Sequence, residues 1–259
     1  MGSYTDSGIY YETLGSGDAI VCISGLGGQA SFWRAAADRL STRFRVISFD
    51  HPGVGRSAKT TDQRIPFIAQ AALDVLDAQG VRTAHLLGHS TGSIVAQAFA
   101  IDHRERCGSL ILSGGWAKAD RRFRDLFDLR YLILEKLGTR AYSALTRLSG
   151  YDAQWYEQHI AAARLEFEGE DQFDVQTVLG RIEMLLDYER SEQLASLEIE
   201  ALILGARDDF IVPFYHSEDL ARRIGNATLV EFAGGHFFPQ VDPDTFANHV
   251  AAFLKGSAI

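Results

Sequence analysis

The stretch Gly88-His89-Ser90-Thr91-Gly92 stands between an apolar run, Ala84 to Leu87, and a helical stretch, Ser93 to Ile101, and it constrains the chain more than any other feature. A strand, a glycine-flanked turn and a helix in immediate succession form a sharp reversal that closes only if the residues beside the apex are small. A serine at the apex is pushed into strained backbone angles. Its hydroxyl then stands above a strand end and at a helix N-terminus, whose dipole favours developing negative charge. The plain alternative is a glycine-rich connection without chemistry, in a chain with 24 glycines. The strand-turn-helix setting favours the nucleophile.

Other short apolar runs are Ala19 to Ser24, Arg45 to Phe49, Ser109 to Leu112, Ala201 to Leu204 and Thr228 to Phe232. They alternate with segments of helical period such as Ser31 to Leu40 and Ile65 to Gln79. Continuous apolar strands separated by amphipathic helices predict an α/β fold, a mainly parallel sheet flanked by helices on both faces. Between Trp116 and Ser196 the alternation stops. There Phe123, Phe127, Tyr131 and Leu134 form one stripe at helical spacing, and Val175, Val178, Leu179, Ile182, Leu185 and Leu186 form another. The expected organisation is a core of residues 1–115 and 197–259 with an all-helical cap, 116–196, inserted over the C-terminal edge of the sheet, where open α/β folds bind ligands. The cap aromatics Trp116, Phe123, Phe127, Tyr131, Tyr142, Tyr151, Trp155 and Tyr156 are expected to form its core, with some facing a substrate pocket.

A chain of 259 residues is long enough for a full core without disulfides or metals. Its 46% hydrophobic and 23% charged residues exclude a disordered or fibrous chain. With 25 Lys and Arg against 34 Asp and Glu, the net charge of -9 argues against nucleic acid as a partner. Cys22 and Cys107 fall inside strand-like runs and give no disulfide framework, so a reducing compartment is expected. Met1 to Asp6 have neither the basic nor the apolar region of a signal peptide, and no run approaches the roughly 20 apolar residues of a membrane span. The expectation is a cytoplasmic protein with a small-molecule substrate and no membrane or nucleic-acid partner, compatible with a homodimer through the cap or an edge strand. H-E-x-x-H, paired-cysteine and Walker A motifs are absent from the sequence, and neither metal nor cofactor is expected.

A serine hydroxyl needs a base, and a base needs an orienting acid. Of the 8 histidines, His236 in Gly234-Gly235-His236 follows the run ATLVEF and precedes a helix beginning near Asp242, which places it on a loop at the same sheet edge. His51, His85, His89, His103, His159, His216 and His249 are expected in surface or packing roles. Strand ALIL ends in Gly205-Ala206-Arg207-Asp208-Asp209, where Asp209 is the first choice of acid and Asp208 the second. Asp120, after the preceding core strand, is a third candidate. The chain order Ser, Asp, His is that of one triad fold and not of the others.

Over essentially its whole length the chain resembles the α/β-hydrolase family. That resemblance implies an acid in a D-x-x-x-P pattern, met by Asp209 and Pro213, and a D-x-x-G-x-G-x-S stretch, met from Asp50 to Ser57. It implies an oxyanion loop at Ser24-Gly25-Leu26, where the family has His-Gly and an apolar residue, with the backbone N–H groups of Leu26 and Thr91 as oxyanion donors. Serine at position 24 leaves the bracing of that loop open. Serine at the elbow argues against the epoxide hydrolases and haloalkane dehalogenases of this fold, which use aspartate there. The stretches Ser24 to Gly28, Ser113 to Trp116 and Gly234 to Phe246 are similar to the aminoacrylate or carbamate hydrolases of bacterial pyrimidine degradation. This implies a small polar substrate, carboxylate-bearing in one version, with a C–N or ester bond. Carboxylesterases, enol-lactonases, C–C hydrolases of ring-cleavage products and low-turnover hormone receptors share the fold, and motifs do not separate them. The substrate-binding candidates are Trp116, Phe237 and one of Arg121, Arg122 or Arg124, since an arginine fork suits a substrate carboxylate.

A competing motif exists. Gly25-Leu26-Gly27-Gly28-Gln29-Ala30 satisfies G-x-G-x-x-A after a strand, and Asp50 ends the next strand about 20 residues on, as a ribose-binding acid would. That reading leaves Ser90, Asp209 and His236 without a purpose, and it is the weaker one.

Overall fold

The computed structural model describes residues 2–159 and 173–256. One sheet runs through it, built from β1 (Gly2–Tyr4), β2 (Tyr10–Leu14), β3 (Ala19–Ile23), β4 (Arg45–Phe49), β5 (Ala84–His89), β6 (Cys107–Ser113), β7 (Ala201–Ala206) and β8 (Ala227–Phe232). The order is β1-β2-β4-β3-β5-β6-β7-β8. From β4 onward every pairing is parallel, with Ile23 opposite Gly88 and His89 opposite Ser113 at the end that carries the site. β1 and β2, absent from the apolar runs, add an antiparallel edge through Tyr11 opposite Phe49. β2 grades from buried Tyr10 and Tyr11 to exposed Leu14, and so never makes the continuous apolar run that marks the inner strands.

Alternate residues of each inner strand feed opposite faces. Val21, Ile23, Leu86, Leu110, Leu112 and Ile203 pack beneath α2 (Ile65–Ala78) and α3 (Thr91–Asp102). Ile20, Cys22, Leu87, Ile111, Leu202 and Leu204 pack against α1 (Arg34–Leu40) and the C-terminal helix (Pro243–Leu254). α3 is buried from Thr91 through Ala100, which is why its sequence is apolar on every side. Both cysteines are free and buried, and burial pushes the Cys107 thiol up to about 12.

Between β6 and β7 the regular elements among the described residues are helices. α4 (Arg121–Gly150) starts at Asp120, whose side chain accepts the Phe123 N–H at 2.7 Å, and it kinks at Gly138. α5 (Val175–Asp187) starts at Asp174, which accepts the Thr177 N–H at 2.7 Å. Phe123, Phe127 and Leu134 of α4 and Val178, Leu179, Ile182 and Leu185 of α5 are buried in one apolar cluster with the sheet, while Tyr131, Val175 and Leu186 are half-buried at its margin. Residues 160–172 of the proposed cap lie outside the described residues. Among the described residues no helix is long and apolar enough to cross a membrane.

Candidate active site

Ser90 follows β5 directly and caps α3, with φ 55° and ψ -120°, the only non-glycine residue at positive φ among those described. Such backbone is strained and persists only where the surroundings over-determine it. Two close approaches do so here. A Cβ on Gly88 would collide with the Gly92 carbonyl, and one on Gly92 would collide with the carbonyls of Ile23 and Ser24 at the end of β3. The Ser90 N–H is held by the Ser113 carbonyl at 2.8 Å. Beside it, His89 stacks on Phe32 with ring centroids 4.8 Å apart and lies 4.8 Å from the His236 ring. Burial, and then the neighbouring His236, hold the His89 imidazole neutral well below its ordinary range.

His236 is buried on the loop after β8, and its Nδ1 lies 2.6 Å from Asp209 Oδ2. The other oxygen of Asp209 accepts the N–H groups of Ile211 and Val212, both at 2.8 Å. The carboxylate is thus fixed by three donors and cannot swing away from the imidazole. Asp208, one residue earlier, is exposed. Asp120 is engaged elsewhere: its oxygens take the Phe123 N–H and the Tyr215 hydroxyl. Burial pushes the Asp120 carboxyl up, but those two bonds outweigh it and hold it below its ordinary range. Of the three acids considered, the structure brings Asp209 to His236.

The loop after β3 passes against the nucleophile, since a Cβ on Gly25 would sit 3.7 Å from Ser90 Oγ. Leu26 lines the same cavity as Ser90 and His236, and Thr91 is the first residue of α3. The dinucleotide reading fails on Asp50. Its Oδ1 accepts the Ala30 N–H at 2.8 Å and its Oδ2 the Arg56 N–H at 3.0 Å, so the carboxylate clasps two loops and occupies the helix start that a pyrophosphate would need.

The cavity over Ser90 has a volume of about 600 Å³ and is roofed by α4 and α5. Of the substrate-binding candidates, Phe237 lines it, and Trp116 and the three proposed arginines do not. Trp116 is buried against Phe123, its carbonyl accepting from Gln97 at 3.0 Å. Arg121 pairs with Asp125 in solvent, Arg122 donates to the Phe210 carbonyl, and Arg124 donates to the Leu186 carbonyl. The physical reason is helix phase. With Asp120 as cap and Phe123 inward, positions 127, 130 and 134 follow on the buried face, and 121, 122 and 124 point away.

Arg130 and Arg181 are the arginines that sequence reasoning missed. Arg130 is buried between Phe127 and Leu134; its Nη2 donates to the Tyr142 hydroxyl at 2.9 Å and to Thr146 Oγ1 at 3.0 Å, while Nε and Nη1 have no hydrogen-bond partner. Arg181 is fully buried at the centre of the α5 stripe. It donates to the Leu26 carbonyl (2.7 Å), to His51 Nδ1 (2.7 Å) and to Gln63 Oε1 (2.9 Å). Burial pulls its guanidinium down to about 9. Burial, and then Arg181, hold His51 neutral, as an accepting Nδ1 requires. The legible signal was a cation on an apolar helix face, at 181 among 178, 182 and 185 and at 130 among 123, 127 and 134.

A family model described as alpha/beta hydrolase fold matches residues 18–243. The chain is 38% identical over 257 residues to the protein of Azorhizobium caulinodans named "Putative carbamate hydrolase RutD", covering 96% of this chain and 95% of that one. It is 34% identical over 271 residues to the protein of the same name from Caulobacter sp. (strain K31), covering all of both chains. Among solved structures, the enol-lactonase from Burkholderia xenovorans LB400 superposes with a TM-score of 0.88 at 20% identity, over 98% of this chain and all of that one. The chain is a hydrolase and belongs to the alpha/beta hydrolase family.

Proposed function

We propose that this chain is a serine hydrolase that cleaves a small carbamate, ester, lactone or amide through an acyl-enzyme on Ser90. Ser90 Oγ attacks the carbonyl carbon while His236 Nε2 takes its proton; Asp209 holds the imidazole in the tautomer that leaves Nε2 free to accept. The N–H groups of Leu26 and Thr91 receive the oxyanion. Collapse expels the leaving group with the proton from His236. Water, deprotonated by the same imidazole, then releases the acyl group. The observation that carries the reading is the placement of Ser90, on its strained turn, in the wall of the cavity that also holds the Asp209-bound His236. Carbamate leads the substrate classes because two relatives over the full chain bear that name.

The cavity wall also favours a substrate carrying negative charge. Arg130 replaces Arg121, Arg122 and Arg124 as its partner, because Nε and Nη1 of this buried guanidinium are free to bind a carboxylate. The test is turnover of a panel of small carbamates, esters and amides by wild type and Ser90→Ala. The expected loss is about 10⁴-fold or more with an unchanged circular-dichroism spectrum. Comparable turnover by Ser90→Ala would refute the scheme.

A further inference from the structure

Arg181 is an anomaly until its partners are considered together. It occupies the middle of the apolar stripe of α5, where a leucine would pack, and it is 0% exposed. Among the described residues no carboxylate lies within ion-pair distance of it. A buried charge without a counter-charge is destabilising by several kcal/mol unless its donors are engaged. All three nitrogens are engaged, and every acceptor belongs to the core: the Leu26 carbonyl, His51 Nδ1 and Gln63 Oε1. The guanidinium lies over Gly28, where a Cβ would collide with it. The Gly28 carbonyl is itself held by the His51 N–H at 2.8 Å, so one side chain grips both ends of the segment 26–28 and the residue that anchors it.

The loop has little else to hold it there. The Ser24 hydroxyl is buried and has no hydrogen-bond partner, and within the loop the Gly28 N–H reaches the Gly25 carbonyl at 3.0 Å. Leu26 and Gly27 are the central residues of a turn closed by the Gly28 N–H on the Gly25 carbonyl, neither at positive φ, and in the helix-like backbone of such a turn a residue's N–H and C=O point in opposite directions. Fixing the Leu26 carbonyl on the α5 side therefore directs the Leu26 N–H the other way, towards the side on which the loop meets Ser90. The positive charge next to that peptide also favours an oxyanion at its N–H.

We propose that Arg181 is a positioning residue for the oxyanion hole, a brace from the cap helix that sets the Leu26 N–H through the Leu26 carbonyl and makes acyl transfer depend on docking of α5. The inference rests on the serine-hydrolase reading above. Its effect falls on the transition state and not on ground-state binding, because the oxyanion exists only in the former.

The test uses full-length wild type, Arg181→Met and Arg181→Lys with p-nitrophenyl acetate, a p-nitrophenyl phosphonate that labels the nucleophile, and a boronic acid that forms a tetrahedral adduct. For Arg181→Met the expected result is a loss of about 10- to 100-fold in kcat with KM within about threefold. The rate of phosphonate labelling and the affinity for the boronic acid should fall by the same factor, and the melting temperature should fall by no more than a few degrees, since removal of a buried charge offsets the three acceptors left unpaired. Arg181→Lys, which keeps the charge but not the three-way fork, should recover part of the loss, and it carries the test if Arg181→Met is insoluble. Unchanged labelling and kcat in either soluble variant would overturn the proposal, as would a fall in melting temperature with a raised KM and unchanged kcat, the mark of a structural residue. No labelling of wild type at Ser90 would remove the serine-hydrolase reading and this inference with it; labelling of wild type with unchanged variants would remove the inference alone.

Discussion

The floor and the roof of the cavity use polar groups in opposite ways. Beneath the floor, in the core, the carboxylates are saturated: Asp209 holds two backbone N–H groups and His236, and Asp50 holds the N–H groups of Ala30 and Arg56. In the roof, Arg130 keeps two nitrogens unpaired although it is buried, and Arg181 binds acceptors but no acid. Saturated groups are rigid and suit chemistry that needs fixed geometry. The two unpaired nitrogens of Arg130 destabilise the empty protein and leave donors for a ligand. On the proposed reading, the core reacts and the helices over the cavity select and brace.

The largest effect should come from the floor. Asp209→Asn can still accept the Ile211 and Val212 N–H groups but no longer fixes the His236 tautomer, so kcat should fall about 10³- to 10⁴-fold with the fold retained. A loss below tenfold, measured on any substrate of the wild type, would mean that another acid serves His236. Next comes the pH dependence of stability. Burial holds His51, His85 and His89 neutral, His85 down to about 4. Their folded values lie below the unfolded one, so the unfolded chain takes up protons first as pH falls. The stability they confer is therefore complete above about pH 6.5 and is lost on acidification, by about 1.4 kcal/mol per pH unit for each histidine. Urea unfolding at pH 7 and pH 5 measures this, and equal stability at the two values would show that the core tolerates these charges.

A smaller effect is expected in the roof. Arg130→Met should lower the preference for a p-nitrophenyl hemisuccinate over the neutral p-nitrophenyl butyrate by about tenfold, mainly through KM, and should not lower the melting temperature. A variant that loses both esters equally and melts earlier would make Arg130 a structural part of the cap, and the contrast between floor and roof would lose half its content. The smallest effect belongs to Arg121→Ala. That side chain is exposed and paired only with Asp125, so kinetics and melting temperature should stay within error of the wild type.

What was legible in the chain was whatever depends on neighbours in sequence. The elbow could be read because Gly88 and Gly92 are demanded by the turn itself, and His236 and Asp209 because each stands on a loop directly after a strand of a parallel sheet. β3 to β8 could be read from continuous apolar runs, while β1 and β2 could not, because an antiparallel edge needs no such run. Asp50 was visible as a motif residue but not as a clasp, since its partners at 30 and 56 are set by tertiary approach. The arginines show the same limit most sharply. A stripe counted only by its apolar members passes over Arg130 and Arg181, and the charge cluster at 121–125 draws attention instead, although its phase on α4 turns it outward. A cation inside an apolar stripe is the stronger sign of a site, because burial must be offset by something the stripe alone does not supply.

In the proposed mechanism Ser90 carries the acyl group. Acid quenching of the wild-type enzyme during turnover of p-nitrophenyl acetate, followed by peptide mass spectrometry, tests it most directly. The expected result is an acetyl adduct on the peptide containing Ser90, appearing with the burst of p-nitrophenol and absent from Ser90→Ala. An adduct on another residue, or turnover by Ser90→Ala at the wild-type rate, would contradict it.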